Sequence, residues 1–359
     1  MEVELMKIEQ HLRINVGEGY DVYIGSGILE NCGRYISELF PQRNCMIVSE
    51  TNVAPLYMET VKTSLETAGL TVSTFVFPAG EEQKNLATFG KILNALADAH
   101  LTRKDFVIAL GGGVCGDISG FAAGCYMRGI PFMQIPTTVL SMVDSSVGGK
   151  CAVDLPQGKN LAGVFHQPSL VLCDTDTLKS LPPEIFADGC AEAIKTGILN
   201  GGKLFEMLLD GPDDGRLPLI IAQCIAYKGG VVERDEKEQG ERKLLNLGHT
   251  AGHAIEKCSD FSLSHGRAVA IGTAMMARAA DALAWSTEPL SEVIESLLKT
   301  YNLPTVTDFE PEELLEAALS DKKRTGKLIT IIMPDAIGHC VMREVTREQL
   351  LEVFTAGWR

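Results

Sequence analysis

The first 178 residues alternate between short apolar runs and longer amphipathic stretches. CMIVS (45–49), VSTFVF (72–77), FVIAL (106–110), FMQIP (132–136) and SLVLC (169–173) are each bounded by turn residues. Apolar runs of this length that do not alternate with polar residues predict strands buried on both faces. Between them, QKNLATFGKILNALADAH places Leu86, Phe89, Leu93, Leu96 and Ala97 at helical spacing. Strand–helix alternation predicts an α/β domain built on a parallel sheet. After residue 178 the pattern turns helical. PPEIFADGCAEAIKTGIL begins at a proline pair, HGRAVAIGTAMMARAADALAW is apolar nearly all round, and LSEVIESLLKTYNLP stops at a proline. PEELLEAALSDKK follows. The expected organisation is an α/β nucleotide-binding domain over 1–178 and a mostly helical domain over 179–359, with ligands in the cleft between them. No internal repeat or low-complexity tail interrupts the pattern.

Composition narrows the function classes. The net charge of −15 disfavours a nucleic-acid or anionic-membrane surface, since both need a basic field. A small anionic substrate is still allowed, because a local basic pocket can sit in an acidic shell. No two of the ten cysteines are closer than ten residues, so there is no CxxC metal or redox motif. Reduced thiols, the lack of a secretory leader pattern and the lack of a bilayer-length apolar run predict a soluble cytoplasmic protein.

Five stretches carry candidate chemistry. IALGGGVCGD (108–117) runs a strand into bare amides that can approach a pyrophosphate, although it is not the GxGxxG fingerprint. PAGEEQKN holds Glu81 and Lys84 near a helix start, and taken alone they read as a solvated ion pair. IPTTVLSMVDSSVGGKCAVDLPQGKNLAGVFHQP (135–168) gathers Thr137, Thr138, Asp144, Lys150, Lys159 and Asn160 on glycine-punctuated loops suited to a polyhydroxylated anion. CAEAIKTG places Glu192 and Lys195 on one helix face, and their bland reading is an exposed ion pair. ERKLLNLGHTAGHAIEK spaces Arg242, Asn246, His249 and His253 by 4, 3 and 4, a single stripe if the segment is wholly helical. With His265 nearby and an acidic residue, three ligands of a zinc-type site are available. Spacing does not choose among Glu192, His249, His253 and His265.

Taken together, GGGVCGD, IPTTVLSMVDSSVGGK, GKNLAGVFHQP, AEAIK and LNLGHTAGHAIE resemble the 3-dehydroquinate synthases, a branch of the sugar-phosphate cyclase superfamily, over nearly the whole chain. The resemblance implies bound NAD and one divalent metal, zinc or cobalt, held by Glu192, His249 and His265. It splits the histidine pair, giving His253 to the substrate phosphate. NAD contacts carry over to Glu50, Asn52, Glu81, Lys84, Gly113, Val114, Cys115, Gly116, Asp117, Thr137 and Thr138. They extend to Lys150 and Lys159, and to Thr177, Leu178, Lys179 and Ser180. Catalytic positions carry over to Lys150, Lys195, Lys228, Arg242, Asn246 and His253, and substrate contacts to Arg128, Asp144, Lys159 and Asn160. One of Lys322 and Lys323 is expected to join them. Glu50 stands where members commonly have Asp, Thr196 replaces the Tyr of IKYG, and Cys151 replaces a frequent Thr.

The implied reaction converts 3-deoxy-D-arabino-heptulosonate 7-phosphate to 3-dehydroquinate and phosphate, in a homodimer. It proceeds by transient oxidation, phosphate elimination, re-reduction, ring opening and aldol closure. Activity is expected to fall below the histidine titration near ~6.5. The rivals are a sister cyclase, a metal-dependent alcohol or glycerol dehydrogenase that releases NADH, and a non-catalytic NAD-binding protein. Arg242, Asn246 and the intact LNLGHTAGH favour the synthase over a sister cyclase, and the lysine cluster at Lys150, Lys159 and Lys228 favours it over a dehydrogenase.

Overall fold

The computed structural model describes residues 7–213, 215–321 and 328–359, the side chains of 320 and 321 excepted. Lys322 and Lys323 lie outside the described residues. The chain divides into two compact units, Met1–Leu181 and Pro182–Arg359.

The first unit opens with β1 (Lys7–Ile14), β2 (Tyr20–Ser26), α1 (Cys32–Leu39), β3 (Asn44–Glu50), α2 (Ala54–Thr67) and β4 (Thr71–Phe77). It continues with α3 (Leu86–Asp98), β5 (Phe106–Gly111), α4 (Gly113–Cys125), β6 (Phe132–Pro136), a hairpin of β7 (Lys150–Leu155) and β8 (Gly158–Phe165), and β9 (Leu170–Asp174). Seven strands form one sheet in the order β1-β2-β9-β6-β5-β3-β4, parallel throughout except for β1 against β2. The five predicted strands are β3, β4, β5, β6 and β9.

The reason β3 and β5 carry no polar alternation is visible in the packing. Cys45 and Ile47, with Phe106, Ile108 and Leu110, face α1 and α2 through Cys32, Ile36, Val61 and Leu65. Met46 and Val48, with Val107 and Ala109, face α3 and α4 through Ile92, Leu96, Ile118 and Phe121. Both sheet faces are covered, so the positions at 45–48 and 106–110 are apolar without alternation. Leu86, which fits the helical spacing, is 51% exposed, while Ile92 and Leu96 are fully buried. From β3 the chain moves outward to β4, and from β5 it moves the other way to β6. Strand order therefore reverses between β3 and β5, the place where open α/β sheets bind ligands.

Helix α4 carries glycines at 116, 120 and 124, four residues apart on one face. A Cβ at Gly116 would stand 2.5 Å from Gln134 Oε1, one at Gly120 would overlap the Cys151 sulfur, and one at Gly124 would stand 2.8 Å from Val164. The glycines let the helix lie directly on β6 and the β7–β8 hairpin. That hairpin corrects the reading of 150–165 as loop.

The second unit contains α5 (Pro183–Asn200), α6 (Gly202–Leu209), α7 (Leu217–Arg234), α8 (His249–Cys258), α9 (His265–Ala282), α10 (Ser291–Thr300) and α11 (Pro311–Asp321). A two-stranded antiparallel ribbon, β10 (Ile329–Ala336) and β11 (His339–Val345), and α12 (Arg347–Gly357) complete it. Thr346 caps α12 in a reciprocal capping box with Gln349. Helix α9 is buried on several sides, as its small-residue composition predicts, with Ala268 to Ala277 all inaccessible. Among the described residues no helix is long and apolar enough to cross a membrane.

Candidate functional site

In the first unit, β5 delivers Gly111 and Gly112 to the start of α4, whose N-cap glycine offers no side-chain cap. The first amides of α4 are left for another acceptor. A Cβ on Gly112 would meet Thr138 at 3.2 Å, and one on Gly113 would meet Ser145 Oγ at 3.3 Å, so side chains here would fill the cradle. Thr137 Oγ1 and Ser145 Oγ are buried without a hydrogen-bond partner. Bare helix amides, a cradle closed to side chains and orphaned hydroxyls fit a dinucleotide phosphate. Cys115 points inward, with its thiol donating to Val48 O and Leu110 O, and burial pushes its pKa up to about 12. Val114 packs against the core, so Gly113–Asp117 offers a ligand backbone amides and the Asp117 carboxylate.

Lys84 is buried and pairs with Asp117 at 2.7 Å. Burial alone would lower its pKa, but Asp117 and Glu81 hold it above the ordinary lysine value. The same ammonium donates to Asn160 Oδ1 at 2.6 Å. Asn160 adopts a left-handed backbone and its amide donates to Asp154. Lys159 lies 3.9 Å from Glu81. Thus Asn160, read as a substrate contact, and Lys159, read as a contact of both substrate and cofactor, meet Glu81, Lys84 and Asp117, read as cofactor contacts. Glu50 accepts from the amides of Asn52 and Val53, turning its carboxylate onto its own loop. Thr177 to Ser180 form a 3₁₀ turn with Leu178 buried and Lys179 paired to Asp176; the Tyr57 hydroxyl donates to Thr177 O and Ser180 Oγ. Asp144 lies in a π-helical turn (Ser141–Ser145), Lys150 is exposed at the start of β7, and Arg128 is exposed with φ 71°.

In the second unit, Glu192 and Lys195 of α5 form a contact ion pair with each residue 2% exposed. The exposed-pair reading is overturned, because this face of α5 is packed into the unit. His249 Nε2 lies 3.7 Å and His265 Nε2 lies 3.6 Å from Glu192 Oε1. That buried oxygen has no hydrogen-bond partner. Two donors sharing one ion at ~2.1 Å with tetrahedral angles stand about 3.4 Å apart, so the spacing fits a shared zinc-like ion. The ligand atoms of Glu192, His249 and His265 all lie within 4.8 Å of one another, as do those of His253, Glu256 and His265. His249 groups with Glu192 and His265 rather than with its helix neighbour His253, which is exposed.

The local fold explains this division. The segment is not one helix: a 3₁₀ turn (Glu241–Asn246) ends before Gly248, whose φ of 77° breaks the path where α8 begins at His249. Only His249 and His253 share a helix, so the condition for a four-residue stripe is not met. A side chain on Gly248 would strike α9, and one on Gly252 would crowd its backbone at 3.2 Å, so these glycines seat α8 against α9. Asp188 of α5 accepts from Ser264 Oγ and the Arg267 amide, fixing the start of α9 where His265 stands. Arg242 is 1% exposed and its guanidinium donates to Glu236 O. Asn246 donates to Glu238 at 2.9 Å, and Lys228 of α7 is buried.

Electrostatics pushes the two histidines in opposite directions. Burial, then the Lys195 ammonium, hold His249 down to about 3 against the pull of Glu192. Burial would also lower His265, but Glu192 and Glu256 hold it up to about 10. Burial would raise Glu192, yet Lys195, His249 and His265 keep it well below the usual carboxylate range. Glu256 escaped the sequence reading, although it lies three residues after His253 and two helical turns after His249 on the same face.

Models of the 3-dehydroquinate synthase N-terminal and C-terminal regions match residues 74–188 and 189–324. A 3-dehydroquinate synthase of Pelobacter propionicus is 44% identical over 351 residues, 95% of this chain and 97% of that protein. A solved 2-deoxy-scyllo-inosose synthase, in complex with carbaglucose-6-phosphate, NAD+ and Co2+, superposes with a TM-score of 0.87 at 26% identity, covering 96% of this chain and 99% of that one. A 2-epi-5-epi-valiolone synthase from Streptomyces hygroscopicus, with NAD+ and Zn2+ bound, has a TM-score of 0.86 at 25% identity, covering 96% and 97%.

Proposed function

Since the chain belongs to the 3-dehydroquinate synthase family, we propose that it converts 3-deoxy-D-arabino-heptulosonate 7-phosphate to 3-dehydroquinate and phosphate. The reading includes NAD, regenerated within each turnover, and one divalent ion, zinc or cobalt. The observation that carries it is the partnerless Glu192 oxygen faced by two histidine Nε2 atoms, on a chain with full-length kinship to synthases. The reaction class would be phosphorus–oxygen lyase. A cytoplasmic homodimer belongs to the same reading through the family resemblance alone.

When bound, NAD supplies a transient hydride acceptor, and a divalent ion polarises hydroxyl and carbonyl oxygens. Glu192, His249 and His265 would hold the ion, each histidine through Nε2. Gly113 to Asp117, Thr137, Thr138 and the Lys84–Asp117 pair would hold the dinucleotide, the α4 amides facing its phosphates. Lys195, Lys228 and Arg242 neutralise carboxylate and phosphate, and the Arg242 fork binds either group bidentately. Because Arg242 is buried and braced on Glu236 O, it is set before substrate arrives. Preset charges lower the cost of orienting a multiply charged substrate. His253 and Asn246, on the accessible side, position the phosphate. Arg128, Asp144, Lys150, Lys159 and Asn160 of the first unit are assigned to the same substrate through the family resemblance.

The test is incubation of purified protein with 3-deoxy-D-arabino-heptulosonate 7-phosphate, zinc and sub-stoichiometric NAD. Phosphate and 3-dehydroquinate are expected in equal amounts, with many turnovers per NAD. Stoichiometric NADH without phosphate would instead indicate a dehydrogenase.

A further inference from the structure

We propose that Glu256 is a positioning residue of the ion site, holding the His265 ring so that Nε2 faces Glu192. The proposal rests on the metal reading above and extends it to a side chain outside the ligand set. Glu256 lies in α8, 2% exposed, and its Oε2 is 3.3 Å from His265 Nδ1. An ionised carboxylate only accepts hydrogen bonds, so the proton of the neutral ring is fixed on Nδ1 and the lone pair on Nε2. His249 receives the same service from a different source. Its Nδ1 is 3.1 Å from Leu247 O, and a carbonyl also only accepts. Both rings therefore present Nε2 to one carboxylate oxygen, at 3.7 and 3.6 Å. One ring is set by backbone and the other by a side chain that can be changed.

The competing interpretation is a second ion held by His253, Glu256 and His265, whose ligand atoms also cluster within 4.8 Å. The nitrogen that faces Glu256 is Nδ1, while Nε2 of the same ring faces Glu192. Serving two ions at once would require His265 to lose both ring protons. Orienting one ligand asks only for the hydrogen bond already in place.

The experiment compares wild type, Glu256→Gln and Glu256→Ala. Zinc dissociation constants are measured by chelator competition, and the visible spectrum is recorded with cobalt bound. Zinc affinity is expected to fall roughly 10- to 100-fold in both variants, with shifted cobalt bands. Glu256→Gln keeps the side-chain shape and carries the test if Glu256→Ala does not fold. Wild-type affinity within twofold, or weaker binding with an unchanged cobalt spectrum, would overturn the proposal, since a merely structural role leaves the bound ion's ligand field alone. Two ions in wild type and one in Glu256→Gln would overturn it in favour of a second site. A wild-type protein that binds no stoichiometric ion would remove the metal reading itself.

Discussion

His249 and His253 sit four residues apart on α8, the usual spacing of a helical ligand pair, yet their environments separate them. His249 faces the buried Glu192 oxygen, and His253 is exposed. His249→Ala is therefore expected to lose the ion, whereas His253→Ala retains it and loses turnover by tenfold or more. Elemental analysis after gel filtration checks this, and equal loss in both variants would make the neighbours the ligand pair. The raised His265 gives a second prediction. In the metal-free fold it holds a proton up to about 10, above the unfolded value near ~6.5. That proton contributes stability fully below ~6.5 and loses it as pH rises through about 10. An ion needs the neutral ring, so zinc binding at pH 7.5 should release about one proton, and affinity should rise about tenfold per pH unit towards pH 9. His249, held at about 3, contributes none above that pH. Titration calorimetry in buffers of different ionisation heat measures the proton count, and a buffer-independent heat would contradict the assignment.

At the scale of elements, the site depends on how closely α8 and α9 approach. A Cβ at Gly272 would strike the backbone of Gly248 and stand 2.8 Å from the Gly252 amide. Gly272→Ala is expected to destabilise the protein by about 1–3 kcal/mol and to weaken zinc retention, because the two histidines stand on the helices it separates. A lowered urea midpoint with unaltered zinc affinity would disconnect the packing from the site. What the sequence made legible follows the same physics. The inner strands were readable because burial on both faces removes alternation, and α9 because packing on several sides demands small residues. Hairpin β7–β8 was not readable, since its glycines and lysines break strand periodicity and its Asn160 serves the Lys84–Asp117 pair. The β1–β2 pair and the β10–β11 ribbon were also missed. Candidate metal residues were visible as a surplus of histidine. Their grouping was not, because the left-handed turn at Gly248 and the Asp188 cap on α9 are tertiary devices. Glu256 was not singled out because burial cannot be seen in one residue letter.

At the scale of the whole molecule, each unit has its own core, and the proposed ligands divide between them. Zinc should raise the calorimetric transition of the unit containing α5, α8 and α9, and NAD that of the unit containing the sheet, each by mass action. If either ligand alone shifts both transitions by the same amount, the units unfold as one. Helix α4 has a further consequence, in the order of events as the chain folds. Each interior glycine costs about 1 kcal/mol against alanine, so α4 has little tendency to form on its own. Its glycine face is completed by Gln134, Cys151 and Val164, all of which come later in the chain. The cradle at its N-terminus should therefore assemble late on the ribosome, after residue 164 has emerged. In pulse-labelled hydrogen exchange the α4 amides should gain protection together with the β7–β8 hairpin, and protection of α4 ahead of it would refute that order.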